Sequence, residues 1–226
     1  MICLQQKQLS DFFEYANHII YAVVIAQSYQ IANKILIPIS NIQNYTGAIG
    51  AYSLILAYFI IVSGWIGYFK SIKRDPYKGT FGNARFVIDL WIVFVTFYLL
   101  ALTDPDKGGS ISDSFIIVLP TLFASYLVWD IVKFYEHKSD NDIDGNYKKG
   151  RMKITIVFVI IFFIQIVFYI YATTYLQNLK WDSQLAWDPI FITTSFASVF
   201  VYRLIKWQTG WRPKRSKKIV DSKEKT

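Results

Sequence analysis

Long apolar runs alternate with short charged stretches over most of the chain. Each run is about 20 residues long, the length that an α-helix needs to cross roughly 30 Å of hydrocarbon. Helices on the surface of a soluble domain need a polar face, and these runs leave almost none. The pattern therefore predicts an all-α, polytopic membrane protein with six transmembrane helices, at about 12–33, 45–69, 84–103, 113–136, 153–177 and 187–207.

The first run is the most polar of the six, because Glu14, His18 and Asn33 interrupt it. A cleaved signal peptide is the rival interpretation, but the apolar stretch begins late and no small-residue cleavage site follows it. We therefore expect a helix that stays in the membrane. The predicted transmembrane domain covers 1–207, and a basic cytoplasmic tail covers 208–226.

Lysine and arginine are distributed unevenly between the two sides of this arrangement. With alternate loops assigned to opposite sides, 21 of the 24 basic residues fall on one side, and only Lys34, Lys107 and Lys180 fall on the other. Basic residues concentrate in cytoplasmic loops. The pattern predicts a protein of the cell membrane with both termini in the cytoplasm. An even number of helices also requires that the two termini lie on the same side.

The overall composition fits a membrane protein and narrows its chemistry. Hydrophobic residues make up 54% of the 226 residues, and the net charge is +8. The basic segments are expected to lie against anionic lipid headgroups on the cytoplasmic side, which accounts for the charge without a nucleic acid. Cys3 is the only cysteine, and two histidines are too few for a histidine-rich metal cluster, so no cofactor is expected.

Two of the runs share a sequence pattern. Residues 120–134 read PTLFASYLVWDIVKF and residues 193–207 read TTSFASVFVYRLIKW, with Phe-Ala-Ser and a late lysine at matching places. The pattern indicates a parallel repeat of helix hairpins, formed by the third and fourth and by the fifth and sixth helices. Asp130 and Arg203 occupy equivalent positions, and we expect them to approach each other or a shared cavity, because charges inside membranes usually face a partner or water.

Charged side chains near the basic ends of the helices predict a polar layer inside the bundle. Arg85 and Asp89 lie one turn apart near the start of the third helix. The acids predicted for the opposite side, including Asp104 and Asp188, are assigned to loops. The candidates for a ligand or ion pathway are Glu14, His18, Arg85, Asp89, Asp130 and Arg203. The alternative is an ion-paired layer that fixes helix packing, with lysine and arginine reaching toward the interface.

A polar stripe on the first helix leaves a second question open. Positions 14, 18, 21, 25 and 28 fall on one helical face and read Glu, His, Tyr, Ile and Ser. A water-lined face of a pore and a helix–helix interface with polar contacts both fit this stripe.

An acidic turn between the fourth and fifth helices matches the opening of a calcium-binding loop. Asp140, Asp142 and Asp144 stand at positions 1, 3 and 5, and glycine follows at position 6. Position 12 is Arg151, where calcium sites use a bidentate glutamate. Because a cation replaces two oxygen ligands, we expect a solvated turn and no metal site here.

These features favour a small channel or transporter that moves an ion or small polar solute. Six helices with few buried charges make a thin bundle, so a homo-oligomer or a larger membrane complex is expected. The alternative is a non-transporting subunit or effector that anchors or senses a cytoplasmic partner. A membrane-embedded enzyme ranks third, because the chain lacks the GxSxG, P-loop, GxGxxG and HExxH motifs.

Overall fold

The computed structural model describes residues 2–37, 45–74, 76–77, 79–104, 113–136, 145–175 and 183–210. Within these ranges the chain forms six α-helices and no strand: α1 (Ile2–Leu36), α2 (Tyr45–Arg74), α3 (Gly79–Ala101), α4 (Asp113–Glu136), α5 (Gly145–Tyr175) and α6 (Ser183–Gly210). The turn with Asp140, Asp142 and Asp144 lies outside the described residues, as does the predicted tail beyond Gly210.

The six described helices are long and apolar enough to cross a membrane, which confirms the predicted six-helix membrane protein. Four helices, α1, α3, α5 and α6, begin earlier than the apolar pattern indicated, and the difference is largest in α1 and α5. Helix α1 begins at Ile2 rather than at 12, and α5 begins at Gly145 rather than at 153. Hydropathy marks only the apolar part of a helix, whereas backbone hydrogen bonding continues through polar residues that favour helix, such as the Gln and Lys of these segments.

Helices α2 to α6 pack as a closed ring. Each helix from α3 to α6 packs against its neighbour in the chain, and α2 closes the ring by packing against both α3 and α6. Helix α1 packs against α2 and α3. Helix α2 is the most buried of the spans, and α5 is the least buried. Helix α5 therefore turns most of its apolar side chains outward, the arrangement expected of a helix that faces lipid.

Aromatic rings fill the space between α4, α5 and α6. Phe123 and Phe162 stack with their ring centroids 4.2 Å apart, and the ring of Tyr202 meets Phe123 edge-on at 5.1 Å. Lipid tails are as apolar as these side chains, so close packing rather than escape from water holds such helices together.

The two ends of the bundle differ in their polar contacts. Odd-numbered helices begin, and even-numbered helices end, at the end that carries Arg85, Lys133 and Lys206; we call this the basic end. At the opposite end, Asp188 is buried and accepts a 2.6 Å hydrogen bond from Tyr169. The assignment of Asp188 to a loop is wrong, because α6 begins at Ser183 and includes it.

The parallel repeat of hairpins stays a prediction. Helix α3 packs on α4 and α5 packs on α6, as two hairpins would. The matching serines also make matching contacts: Ser125 accepts from Trp91 Nε1 at 3.1 Å, and Ser198 accepts from Gln165 Nε2 at 2.9 Å. In each hairpin the donor belongs to the preceding helix.

Candidate functional site

Polar and charged side chains from the six described helices meet in the half of the bundle nearest the basic end. We call this set the polar layer. It falls into three clusters, around Tyr77, around Asp130 and around Arg203. Its buried members are Asn17, Tyr21, Tyr68, Tyr77, Arg85, Asp89, Asp130, Thr155, Tyr202, Arg203 and Lys206.

The first cluster forms around a tyrosine in the connection between α2 and α3. The hydroxyl of Tyr77 donates to Asp89 Oδ2 at 2.8 Å and lies 3.4 Å from the hydroxyl of Tyr68. Asn17 Nδ2 donates to both phenol oxygens, at 3.1 Å to Tyr68 and 3.3 Å to Tyr77. Burial and the nearby Asp89 raise the pKa of Tyr77 well above its ordinary value, so this phenol keeps its proton as a donor.

Arg85 lies beside this cluster with a carboxylate partner. Its Nη1 is 2.6 Å from Glu136 Oε2, and neither side chain is exposed. The guanidinium also lies over the ring of Tyr77, 4.6 Å from its centroid. An ion pair combined with an aromatic contact compensates a buried arginine well.

Two glycines allow this arrangement. Gly79 has φ +59°, the left-handed conformation that glycine adopts without steric cost, and it turns the chain into α3. A Cβ on Gly82 would lie 2.9 Å from the carbonyl carbon of Tyr77 and 3.1 Å from Glu136 Oε1. Only a residue without a side chain therefore lets the connection pack directly on α3.

The second cluster joins α4, α5 and α6 through one carboxylate. Asp130 Oδ2 accepts from Lys206 Nζ and from Thr155 Oγ1, each at 2.5 Å. The side chains of Lys206 and Asp130 are 8% and 7% exposed, so the ion pair is almost completely withdrawn from solvent. The hydroxyl of Tyr202 lies 3.5 Å from Thr155 Oγ1 and extends the cluster.

The third cluster surrounds Arg203, which is 8% exposed. Its Nη2 donates to the hydroxyl of Tyr126 at 2.7 Å, and its guanidinium lies over the rings of Tyr126 and Tyr202 at 4.8 and 5.6 Å. Among the residues that the structure describes, this hydrogen bond is the only one that Arg203 makes, and no carboxylate lies within ion-pair distance. Its Nε is buried and has no hydrogen-bond partner there.

Of the two arrangements expected for Asp130 and Arg203, direct pairing is not formed within the described chain, and a shared cavity stays a prediction. Lys206, one turn farther along α6, takes the carboxylate instead. A lysine side chain is long and flexible enough to reach back from the helix end. Both predicted side chains are buried inside the bundle, so neither of them faces lipid.

Glu14 and His18 lie at the margin of the polar layer. Glu14 Oε1 is 3.6 Å from His18 Nε2, and the two side chains are 32% and 26% exposed. Trp65 Nε1 donates to His18 Nδ1 at 3.3 Å, which ties α1 to α2. Farther along the same stripe, Tyr21 and Ser28 are buried, so this part of α1 is a helix–helix interface. The role of the six predicted residues as a pathway stays a prediction.

Sequence reasoning missed several members of the layer. The sequence pattern did not identify Lys206, Tyr126 and Tyr202 as members of the layer. One signal was present: Gly64 and Gly67 lie one turn apart on α2. Both glycines face the guanidinium of Arg203.

Neither a metal centre nor a known relative identifies the site. Within the described ranges, no three His, Cys, Asp or Glu side chains lie close enough to hold a metal ion. Comparison with protein-family models, with curated proteins and with solved structures gives no significant match to this chain. The function therefore has to be argued from the geometry.

Proposed function

We propose that the protein moves a small ion or polar solute across its membrane, as a small channel or transporter. The observation that carries this proposal is the unequal compensation of charge in the polar layer. Arg85 and Lys206 each face a carboxylate, whereas Arg203 has none among the described residues. A buried cation without a counter-charge would destabilise a layer that served packing alone, because burying such a group costs several kcal/mol. Uncompensated charges inside membrane bundles are typical of substrate and ion pathways.

The arrangement of the helices supports the same proposal. The Arg203 cluster lies between α1, α2, α4 and α6, away from the outward-facing α5. With the basic end at the cytoplasm, as the distribution of lysine and arginine predicts, the layer would lie at the cytoplasmic mouth of the pathway. The proposed homo-oligomer or membrane complex would extend the pathway across the other half of the bundle.

Flux through reconstituted protein tests the proposal. Purified protein is placed in liposomes, and the entry of small cations, anions and neutral polar solutes is followed by fluorescence and light scattering. We expect Arg203→Gln and Asp89→Asn to lower the flux at least about tenfold, since each removes a charged group from the layer. Lys34→Gln is the matched control, because Lys34 is half-exposed and pairs with Asp104 at the opposite end.

The proposal fails if folded wild-type protein moves no solute of this panel. Co-purification of a cytoplasmic protein in that case would favour the alternative of a non-transporting subunit or effector. Flux that is equal in wild-type and in both layer variants would show a pathway elsewhere and would also reject the assignment.

A further inference from the structure

We propose that Arg203 is the centre of a binding site for a small oxyanion, either a short carboxylate or an inorganic anion, that enters from water. If the oxyanion is also the transported solute, this inference rests on the proposed function. The binding itself can be measured without any flux, so the two proposals can fail separately.

Arg203 has no counter-charge among the described residues. A charged group withdrawn from water needs compensation, and the phenol rings around Arg203 supply only part of it. The other two buried cations of the layer have carboxylates at 2.5 and 2.6 Å, from Asp130 and Glu136. An exogenous anion at Arg203 would give all three cations the same compensation.

Polar groups from three helices converge beside Arg203 on a surface of α2 that carries no side chain. A Cβ built on Gly64 would lie 3.4 Å from Arg203 Nη2, 3.4 Å from the Tyr126 hydroxyl and 3.8 Å from the Tyr21 hydroxyl. One turn along α2, a Cβ on Gly67 would lie 3.6 Å from Arg203 Nη1. Groups from α1, α4 and α6 therefore meet over a stretch of α2 that carries no side chain.

The groups that meet beside Gly64 offer hydrogen-bond donors. In the described part of the chain, Arg203 Nε has no acceptor and the Tyr21 hydroxyl makes no hydrogen bond. The Tyr126 hydroxyl accepts from Arg203 and donates to no described residue, so its proton is free to bind a ligand. A guanidinium has no acceptor atom, and its planar fork matches oxygens of a carboxylate or similar oxyanion.

Anionic oxygen can come from a dissolved anion or from a lipid headgroup, and the position of Arg203 favours the dissolved anion. Arg203 lies seven residues before the end of α6 at Gly210, which corresponds to roughly 10 Å along a helix. Its guanidinium faces Gly64, Tyr126 and Tyr21 inside the bundle rather than the outer surface.

Thermal unfolding of the purified protein in a neutral detergent tests the binding. Sodium formate is titrated against sodium gluconate at constant ionic strength, because gluconate is too bulky for a site between packed helices. We expect formate to raise the Tm saturably, by about 5 °C or more at about 100 times its Kd, and gluconate to leave it unchanged. Nitrate, which is also planar, is expected to act like formate.

Three variants connect the response to the site. Arg203→Gln should abolish the formate response, and Tyr126→Phe should weaken the apparent affinity several-fold. Gly64→Ala keeps every polar group but fills the bare surface, and it should weaken the affinity about tenfold. Gly50→Ala should respond like the wild type, because among the described residues the new Cβ would meet only the carbonyl oxygen of Thr103, at 3.9 Å.

Each outcome decides the proposal. A wild-type Tm that does not respond to formate or nitrate overturns it, as does an unchanged response in folded Gly64→Ala and Arg203→Gln. A shift produced by phosphatidylglycerol added to delipidated protein, but not by either anion, overturns the dissolved source. Binding without flux would leave this site standing and remove the proposed transport, whereas flux without anion binding would do the reverse.

Discussion

Arg85 and Arg203 are two buried arginines in the same layer of the bundle with different surroundings. Each lies over a tyrosine ring, at 4.6 Å for Arg85 and 4.8 Å for Arg203. Arg85 then faces Glu136 at 2.6 Å, whereas Arg203 faces the hydroxyl of Tyr126. The comparison shows that residue type and depth alone do not decide whether a buried charge serves packing or a ligand.

The glycines beside the two arginines also differ in the space that they leave for a side chain. At Gly82 the space for a side chain is already filled by the backbone of Tyr77, 2.9 Å from the position of a Cβ. At Gly64 the nearest atoms are polar ends of side chains, at ordinary contact distance. The space beside Arg85 is therefore filled by protein atoms. Beside Arg203, in contrast, α2 keeps a surface that is bare only because position 64 is a glycine.

The largest effect is expected from breaking the compensated pair. Arg85→Met leaves the Glu136 carboxylate buried without its cation, and we expect a loss of about 3–5 kcal/mol in the free energy of unfolding. The measurement is the Tm in neutral detergent, together with the yield of monodisperse protein. Arg85→Met combined with Glu136→Met should recover most of the loss, because two apolar side chains replace the pair. A wild-type Tm in the single variant would contradict the structural role of the pair.

A smaller effect is expected from the two glycines. Gly82→Ala should cost about 1–3 kcal/mol, since its Cβ forces the Tyr77 backbone away from α3. Gly64→Ala should keep the wild-type stability within about 1 kcal/mol, because the added methyl group makes only ordinary contacts. Gly150→Ala is the control for helix propensity, as no atom of the described residues lies within 4 Å of its Cβ position. Equal losses in the free energy of unfolding for Gly82→Ala and Gly64→Ala would show that the space beside the two arginines does not differ.

The helices could be predicted from the sequence because the bilayer sets their length and the apolar pattern is local. Helix α4, predicted at 113–136, extends over Asp113–Glu136 in the structure. The depth of a charge within a helix is equally local. Arg85, Asp89, Asp130 and Arg203 could therefore be assigned to one buried layer from sequence alone.

The partners within the layer could not be predicted, because they depend on how each helix is rotated and on which helices are neighbours. The repeat favoured Asp130 as the partner of Arg203, yet Lys206 forms the ion pair with that carboxylate. Tyr77 lies in a four-residue connection between α2 and α3, and no periodic pattern indicates that it turns inward. Its position depends on Gly82, whose role becomes visible only when the connection is packed on α3.

The smallest effect on stability is expected at Arg203, and it separates the two arginines most sharply. In anion-free neutral detergent, Arg203→Met removes a cation that has no carboxylate partner in the described chain, so no opposite charge is stranded. The loss of the hydrogen bond to Tyr126 costs about 1 kcal/mol, and the relief of burying an uncompensated charge offsets it. We therefore expect a Tm close to that of the wild type, or above it. A loss as large as that of Arg85→Met would mean that the tyrosines alone hold Arg203 as a structural cation. The Tm difference between the wild type and Arg203→Met should be small in formate-free buffer. If this difference grows when formate is added, because formate stabilises only the wild type, the Arg203 cluster is the ligand site.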